Sequence, residues 1–167
     1  VSALLHYWTL RKGASGMAFD PIVASGERGA MPHGRPTTKK LKRNEAITID
    51  FGIVYKGYQS DMTRTISIGE PPKIIQEIYK AVLKAQELAI EGIREGVSAR
   101  SVDKIARDSI TESGFGEYFT HGLGHGMGLG DGEVPTLNSR SEDILEEGMV
   151  MSCEPGIYIP DVGGVRI

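Results

Sequence analysis

The sequence predicts an α+β fold, on three observations. Ile47, Ile49, Phe51 and Ile53 alternate with Thr48, Asp50, Gly52 and Val54, the period of a strand. Tyr58–Ile68 reads as its return strand across a Lys56-Gly57 turn, where glycine suits a positive φ. Two amphipathic helical stretches follow, so hairpins and long helices are mixed rather than alternating one for one.

Each element has a local reason. Val1–Lys12 reads as a helix with apolar Leu4, Leu5, Trp8 and Leu10, stopped by Gly13. Phe19–Ala24 is a short apolar run between Asp20-Pro21 and Gly26, read as a strand. Residues 27–35 hold Gly29, Pro32 and Gly34 and are loop-rich, and Thr37–Arg43 is a solvated basic connection. Pro71-Pro72 opens a helix whose inner face is Ile75, Ile78, Val82, Ala85, Ala89 and Ile93, with Gly96 as its end. Ser98 caps a second helix with Val102, Ile105, Ala106 and Ile110 inward and Gly114 closing it. A glycine-rich stretch from His121 to Gly132 is read as an extended loop. Met149–Cys153 and Ile157–Ile159 are read as short strands around Pro155-Gly156. Both ends read as internal: no initiator Met is present, and Gly164–Ile167 begins a strand-like alternation. The expectation is one domain, residues 1–167, cut from a larger chain.

Composition narrows the function classes. The 167 residues carry 19 Lys+Arg against 22 Asp+Glu, a net charge of −3, which disfavours nucleic-acid binding. No apolar run approaches the ~20 residues of a membrane span, and Val1-Ser2-Ala3-Leu4-Leu5 lacks the flanks of a signal peptide. The single Cys153 precludes an internal disulfide framework and suits a reducing, cytoplasmic setting. Flanked by apolar residues, with no histidine near it in sequence, it reads as an inert core thiol.

Three places carry chemistry. With Tyr55 opposite Tyr58, Asp50 falls opposite Thr63 and Asp61 opposite Gly52. The two aspartates then project from one side of the hairpin as diagonal neighbours, roughly 7–8 Å apart at the backbone. Gly52 is expected to leave open space beside Asp61. A cation could relieve the repulsion; the alternative is that the carboxylates hydrogen-bond a nearby loop or Arg64. In His121-Gly-Leu-Gly-His125-Gly, five glycines within residues 122–130 disfavour a helix, so the backbone must pass close to something. Its imidazoles are candidate ligands for Zn²⁺, Mn²⁺ or Co²⁺, or else structural. A phosphate-binding P-loop is excluded, because no Gly-Lys-Ser/Thr ending is present. Glu154, at a strand end before Pro155-Gly156, is either aimed inward or a surface-turn carboxylate.

Together, Ile49-Asp50-Phe51-Gly52, Ser60-Asp61-Met62-Thr63-Arg64-Thr65, the His121–His125 motif and Glu154-Pro155-Gly156-Ile157-Tyr158 resemble the pita-bread metallopeptidases. Within that group the chain is most similar to Xaa-Pro dipeptidases (prolidases) and Xaa-Pro aminopeptidases; Ala24-Ser25-Gly26 and Pro32-His33-Gly34 add to the likeness. The resemblance implies a curved, mostly antiparallel sheet flanked by helices, here an incomplete C-terminal catalytic domain. It implies two divalent ions (Mn, Co or Zn), with Asp50 on one metal, Asp61 bridging, and His125 and Glu154 completing the second. It makes His33 and His121 catalytic and substrate-binding residues, and Arg166 a substrate-binding one. The reaction implied is hydrolysis of the bond before proline by a metal-bridging water, the substrate a small peptide with proline second. A homodimer is compatible. Methionine aminopeptidase and creatine-type amidinohydrolase chemistry share the fold, but Pro32-His33-Gly34 and Glu154-Pro155-Gly156 look more like the proline-specific branch.

Two departures from the family pattern stand out. Gly132, in Gly132-Glu133-Val134-Pro135, occupies the place of an imidazole that hydrogen-bonds the tetrahedral intermediate, and losing one such donor typically costs about 10²–10³ in rate. The fifth ligand, a glutamate directly after Val-Arg-Ile, is not in the sequence, so the 167-residue piece itself is expected to be inactive. Gly132 also raises the alternative of a catalytically impaired homologue that binds peptides or proteins.

Overall fold

The computed structural model describes residues 1–167, the side chain of Asp131 excepted. In chain order the elements are α1 (Ser2–Arg11), β1 (Gly16–Met17), β2 (Ile22–Ser25), a 3-10 turn (Gly26–Ala30), β3 (Ala46–Phe51), β4 (Ile53–Tyr55), β5 (Tyr58–Gln59), β6 (Met62–Ser67), α2 (Lys73–Gly92), α3 (Ala99–Glu112), a 3-10 turn (Gly116–Tyr118), β7 (Gly124–Met127), β8 (Asp131–Leu137), β9 (Gly156–Ile159) and β10 (Gly163–Arg166). The strands form small antiparallel sheets in the orders β2-β3-β6, β1-β4-β5, β7-β8 and β9-β10.

The hairpin keeps the expected register in two pieces, β3 with β6 and β4 with β5; the break between them falls at Gly52 and at Ser60-Asp61, so the expected pairing of Asp61 with Gly52 is replaced by an irregular crossing. Tyr55 faces Tyr58 and Asp50 faces Thr63. Lys56 and Gly57 both have positive φ, 51° and 86°, the backbone of the tight hairpin turn. Gly52 differs from expectation. A Cβ there would overlap the carbonyl oxygen of Ser60 and crowd Phe19, so glycine permits close backbone approach rather than leaving a gap.

The apolar faces of α2 and α3 meet each other. Ile78, Val82, Ala85, Ala89, Val102, Ala106 and Ile110 are fully buried and join Leu123, Leu137, Ile157 and Val165 in one core. Ser98 caps α3 by accepting from the Ser101 N–H at 3.2 Å. Helix α2 ends at Gly92, short of the expected Gly96, because Ile93 already turns to an extended ψ of 117°. Helix α1 forms where the sequence places it but buries none of its residues; Leu4, Trp8 and Leu10 are exposed.

Two further expectations are corrected. The glycine-rich stretch is not a loop throughout: Gly124–Met127 pairs with β8 through shifted registers. The expected strand at Met149–Cys153 is reduced to a single bridge, Met151 to Gly126, because this segment follows β7 through separate hydrogen bonds. Among the described residues, no helix is long and apolar enough to cross a membrane.

The layers are tied together by threonines. Thr65 Oγ1 donates to the Arg166 carbonyl at 2.7 Å and accepts from the Arg166 N–H at 3.2 Å. Its proton being committed, Thr48 supplies the one between the two hydroxyls, 3.1 Å apart. This buried stitch locks β10 onto the β3–β6 face that carries Asp50.

Candidate metal and peptide site

An open cavity of about 1350 Å³ lies over that face, and Asp50, Asp61, His125, Glu154, His33, His121 and Arg166 all line it. Register places Asp50 on β3, while Asp61 lies between β5 and β6, one residue before β6 begins. Segment 152–154 runs beside β7: Ser152 N–H donates to the His125 carbonyl and Glu154 N–H to the Leu123 carbonyl, both at 2.8 Å. Gly124 makes this approach possible, since a Cβ there would overlap the Ser152 carbonyl. The expected close backbone contact of the glycine-rich stretch is thus with the protein's own chain.

At one end of the cavity sit Asp61, His125 and Glu154. One donor atom from each lies within 4.8 Å of the others. His125 Nε2 is 3.5 Å from Asp61 Oδ2 and 3.5 Å from Glu154 Oε1. Its Nδ1 is 3.0 Å from the Gly126 carbonyl, to which an Nδ1–H donates. That bond directs Nε2 at two carboxylates, an arrangement that demands positive charge. In the metal-free protein a proton fills the need: Asp61 is the main cause that holds His125 up at about 9, against its burial. Burial, then the Asp61 charge, raises Glu154. Burial also raises Asp50, opposed by Arg166 and reinforced by Asp61.

These residues fit a metal. Asp50 Oδ1 and Asp61 Oδ1 are buried and have no hydrogen-bond partner among the described residues, a costly state that a cation would relieve. Oxygen and imidazole donors suit Mn²⁺, Co²⁺ or Zn²⁺, and the Nδ1–H bond to a carbonyl is the usual support of a ligating histidine. Ser152 steadies both sides, donating to Glu154 Oε1 at 2.7 Å and accepting from the His125 N–H at 3.1 Å. Glu154 is therefore no surface-turn carboxylate.

At the other end, Arg166 is 4% exposed. It donates to Asp50 Oδ2 at 2.6 Å, to the Pro32 carbonyl and Tyr158 hydroxyl at 2.8 Å each, and to Thr63 Oγ1 at 3.1 Å. Asp50 thus pairs with Arg166, not with Arg64, which donates to the Thr63 carbonyl. Through these four bonds Arg166 holds the site's walls together. The Tyr158 hydroxyl lies 2.8 Å from His121 Nε2, and His121 Nδ1 lies 2.6 Å from the Gly122 carbonyl. A carbonyl can only accept, so Nδ1 carries the ring proton and Nε2 accepts from Tyr158. Burial lowers His121 to about 4, with Arg166, His33 and Arg107 adding to the effect. His33 is exposed at the rim.

Some site residues were not anticipated. Tyr158 stands in a motif that gives it no role, and Ser152 is only one residue of the expected Met149–Cys153 strand. Asp103 and Arg107 are an i,i+4 pair whose spacing was visible but reads as an ordinary solvated helix face. Cys153 is the inert thiol expected: burial pushes it up to about 12. Gly132 has a φ of 73° with open space where a Cβ would point.

The metallopeptidase family M24 model matches residues 1–167. The Xaa-Pro dipeptidase of Pyrococcus horikoshii is 48% identical over all 167 residues, which span 48% of that protein. The solved prolidase of Pyrococcus furiosus superposes with a TM-score of 0.97 at 48% identity, over 99% of this chain and 49% of that one. An Xaa-Pro dipeptidase from Bacillus anthracis gives 0.98 at 50% identity, over 99% and 47%. The chain spans about half the length of the curated relatives it matches. Its antiparallel sheets and flanking helices are part of the pita-bread fold. With the carboxylates and imidazole of a metal site gathered on that fold, and a match running from end to end, the chain belongs to metallopeptidase family M24.

Proposed function

We propose that the intact protein is a metal-dependent Xaa-Pro peptidase that hydrolyses the bond before proline in small peptides. The observation that carries this reading is His125 Nε2 at 3.5 Å from both Asp61 and Glu154, with Nδ1 committed to a carbonyl. The names of the relatives supply the substrate class. Residues 1–167 are read as one catalytic domain, in keeping with their coverage of half of each relative.

Asp50, Asp61, His125 and Glu154 would hold two divalent ions, Mn²⁺, Co²⁺ or Zn²⁺. When bound, such ions lower the pKa of water and stabilise charge developing on oxygen. The chain's own residues set the frame. Arg166 fixes the Asp50 carboxylate and the Tyr158 hydroxyl from the protein side. His121, uncharged at neutral pH, lines the cavity beside Tyr158, where it would contact the peptide. His33, exposed in the cavity lining, would contact the peptide near its scissile carbonyl or leaving group. A cytoplasmic setting is the one this reading expects, and a homodimer is compatible with it.

The test is turnover by the full-length protein, stripped by a chelator and reloaded with Mn²⁺, Co²⁺ or Zn²⁺. An Xaa-Pro dipeptide, a longer Xaa-Pro peptide and a dipeptide without proline are compared. Metal-dependent cleavage confined to proline substrates is expected, and the first two substrates separate dipeptidase from aminopeptidase. Absence of metal-dependent turnover would overturn the reading. Gly132 favours one alternative, a homologue that binds such peptides without cleaving them; four ligand-type residues in one cavity weigh against it.

A further inference from the structure

Asp103 and Arg107 lie one turn apart on α3, facing the segment that leads into β7. Asp103 is 1% exposed. Arg107 Nε and Nη2 donate to its two carboxylate oxygens at 3.0 and 2.9 Å. Arg107 also donates from Nη1 to the Phe119 carbonyl at 3.0 Å and from Nη2 to the His121 carbonyl at 2.9 Å. Asp103 Oδ1 accepts the Leu123 N–H at 3.1 Å. One ion pair therefore grips the main chain at alternate residues 119, 121 and 123. The guanidinium lies 4.3 Å from the centre of the Phe119 ring, which meets the His121 ring edge-on at 5.2 Å.

A buried ion pair is a poor source of stability, since apolar residues of similar volume often serve as well. What this one provides is placement. The glycines after His121 offer no side chains to anchor the segment and leave it flexible unless held. The His121 ring makes two short hydrogen bonds, to the Gly122 carbonyl and the Tyr158 hydroxyl, and a shift of the main chain at residue 121 would break both.

We propose that Arg107, aligned by Asp103, is a positioning residue that fixes the His121 imidazole in the substrate cavity. Its catalytic consequence rests on the Xaa-Pro peptidase reading; its structural consequence does not.

The test uses the full-length, metal-loaded protein. Arg107→Lys keeps the charge but loses the planar fork that serves several acceptors at once. It should lower kcat on an Xaa-Pro dipeptide about ten-fold or more, change KM less than about three-fold, and leave metal content unchanged. In a His121→Ala background the same substitution should cost under about two-fold, because its effect runs through His121. Asp103→Leu/Arg107→Leu, which removes the buried charge altogether, should fold yet stay impaired. Equal losses in the two backgrounds, or full activity of the double-leucine variant, would overturn the proposal. If the parent turns over no Xaa-Pro peptide, the catalytic reading fails, and histidine ¹⁵N NMR decides the positioning. The His121 nitrogens should then pass from one fixed tautomer in the parent to an exchange average in Arg107→Lys, with His125 unmoved. An unmoved His121 would sink the idea.

Discussion

His121 and His125 sit four residues apart on one glycine-rich segment and line one cavity, yet their electrostatics are opposite. His125 faces two carboxylates, which hold it up at about 9; His121 is pushed down to about 4 by burial first, with the basic groups around it adding to the effect. Both rings hydrogen-bond a backbone carbonyl through Nδ1. The difference lies at Nε2: Asp61 and Glu154 for one, Tyr158 under Arg166 for the other. The same side chain is a cation-demanding ligand at one end, where carboxylates outweigh burial, and a neutral wall at the other, where burial prevails.

The comparison breaks most severely if the acidic end is emptied. His125→Ala in the full-length protein should abolish high-affinity metal binding and lower kcat/KM by more than about 10³-fold, several kcal/mol of lost charge stabilisation. Elemental analysis and turnover check it. A smaller effect is expected from Ser152→Ala, which removes the hydroxyl shared by Glu154 and the His125 N–H. Metal affinity should fall about 10–100-fold in a chelator competition, with the fold intact.

Next comes Gly132. Its φ of 73° means that any side chain there is strained, although nothing stands in the way of one. Gly132→Ala carries that strain without an imidazole. Gly132→His should exceed Gly132→Ala in kcat by about ten-fold or more, with KM changed little. Equal rates in two folded, metal-loaded variants would mean that no catalytic donor is missing from this position.

The smallest effect concerns the neutral histidine. His121 has a folded pKa of about 4, below its ordinary 6.5. The unfolded state therefore binds the extra proton between those values, and the stability is fully present above 6.5 and lost as pH falls toward 4. Between pH 7 and pH 5 the parent should lose about 1–2 kcal/mol more than His121→Phe, measured by chemical denaturation.

Much of the acidic end was legible in the sequence. The alternation through Ile47–Val54 and the Lys56-Gly57 turn set the register of Asp50 against Thr63; Asp61 reaches the same cavity from the break before β6, which the alternation does not announce. Motif resemblance added His125 and Glu154. The other end was not legible. Arg107 and Asp103 look like any exposed i,i+4 pair until α3 is seen to face the His121 segment. Arg166 is a substrate-binding candidate by resemblance alone, and its bonds to Asp50, Tyr158, Pro32 and Thr63 are announced by no spacing in the sequence. The glycines of β7 hid a strand, because glycine has poor strand propensity and the chain that it must approach, Ser152, lies 28 residues from Gly124. Gly52 was misjudged for the same reason: a missing side chain signals room or contact equally well, and only the fold decides.

The most direct test is a zinc titration of the metal-free full-length protein followed by histidine ¹⁵N NMR. The acidic-end site predicts that the His125 nitrogens lose their protonated signature and move to a metal-bound position as Zn²⁺ is added, while His121 keeps its neutral Nδ1–H form throughout. A His125 that stays protonated with Zn²⁺ in excess, or a His121 that moves with it, would contradict the account.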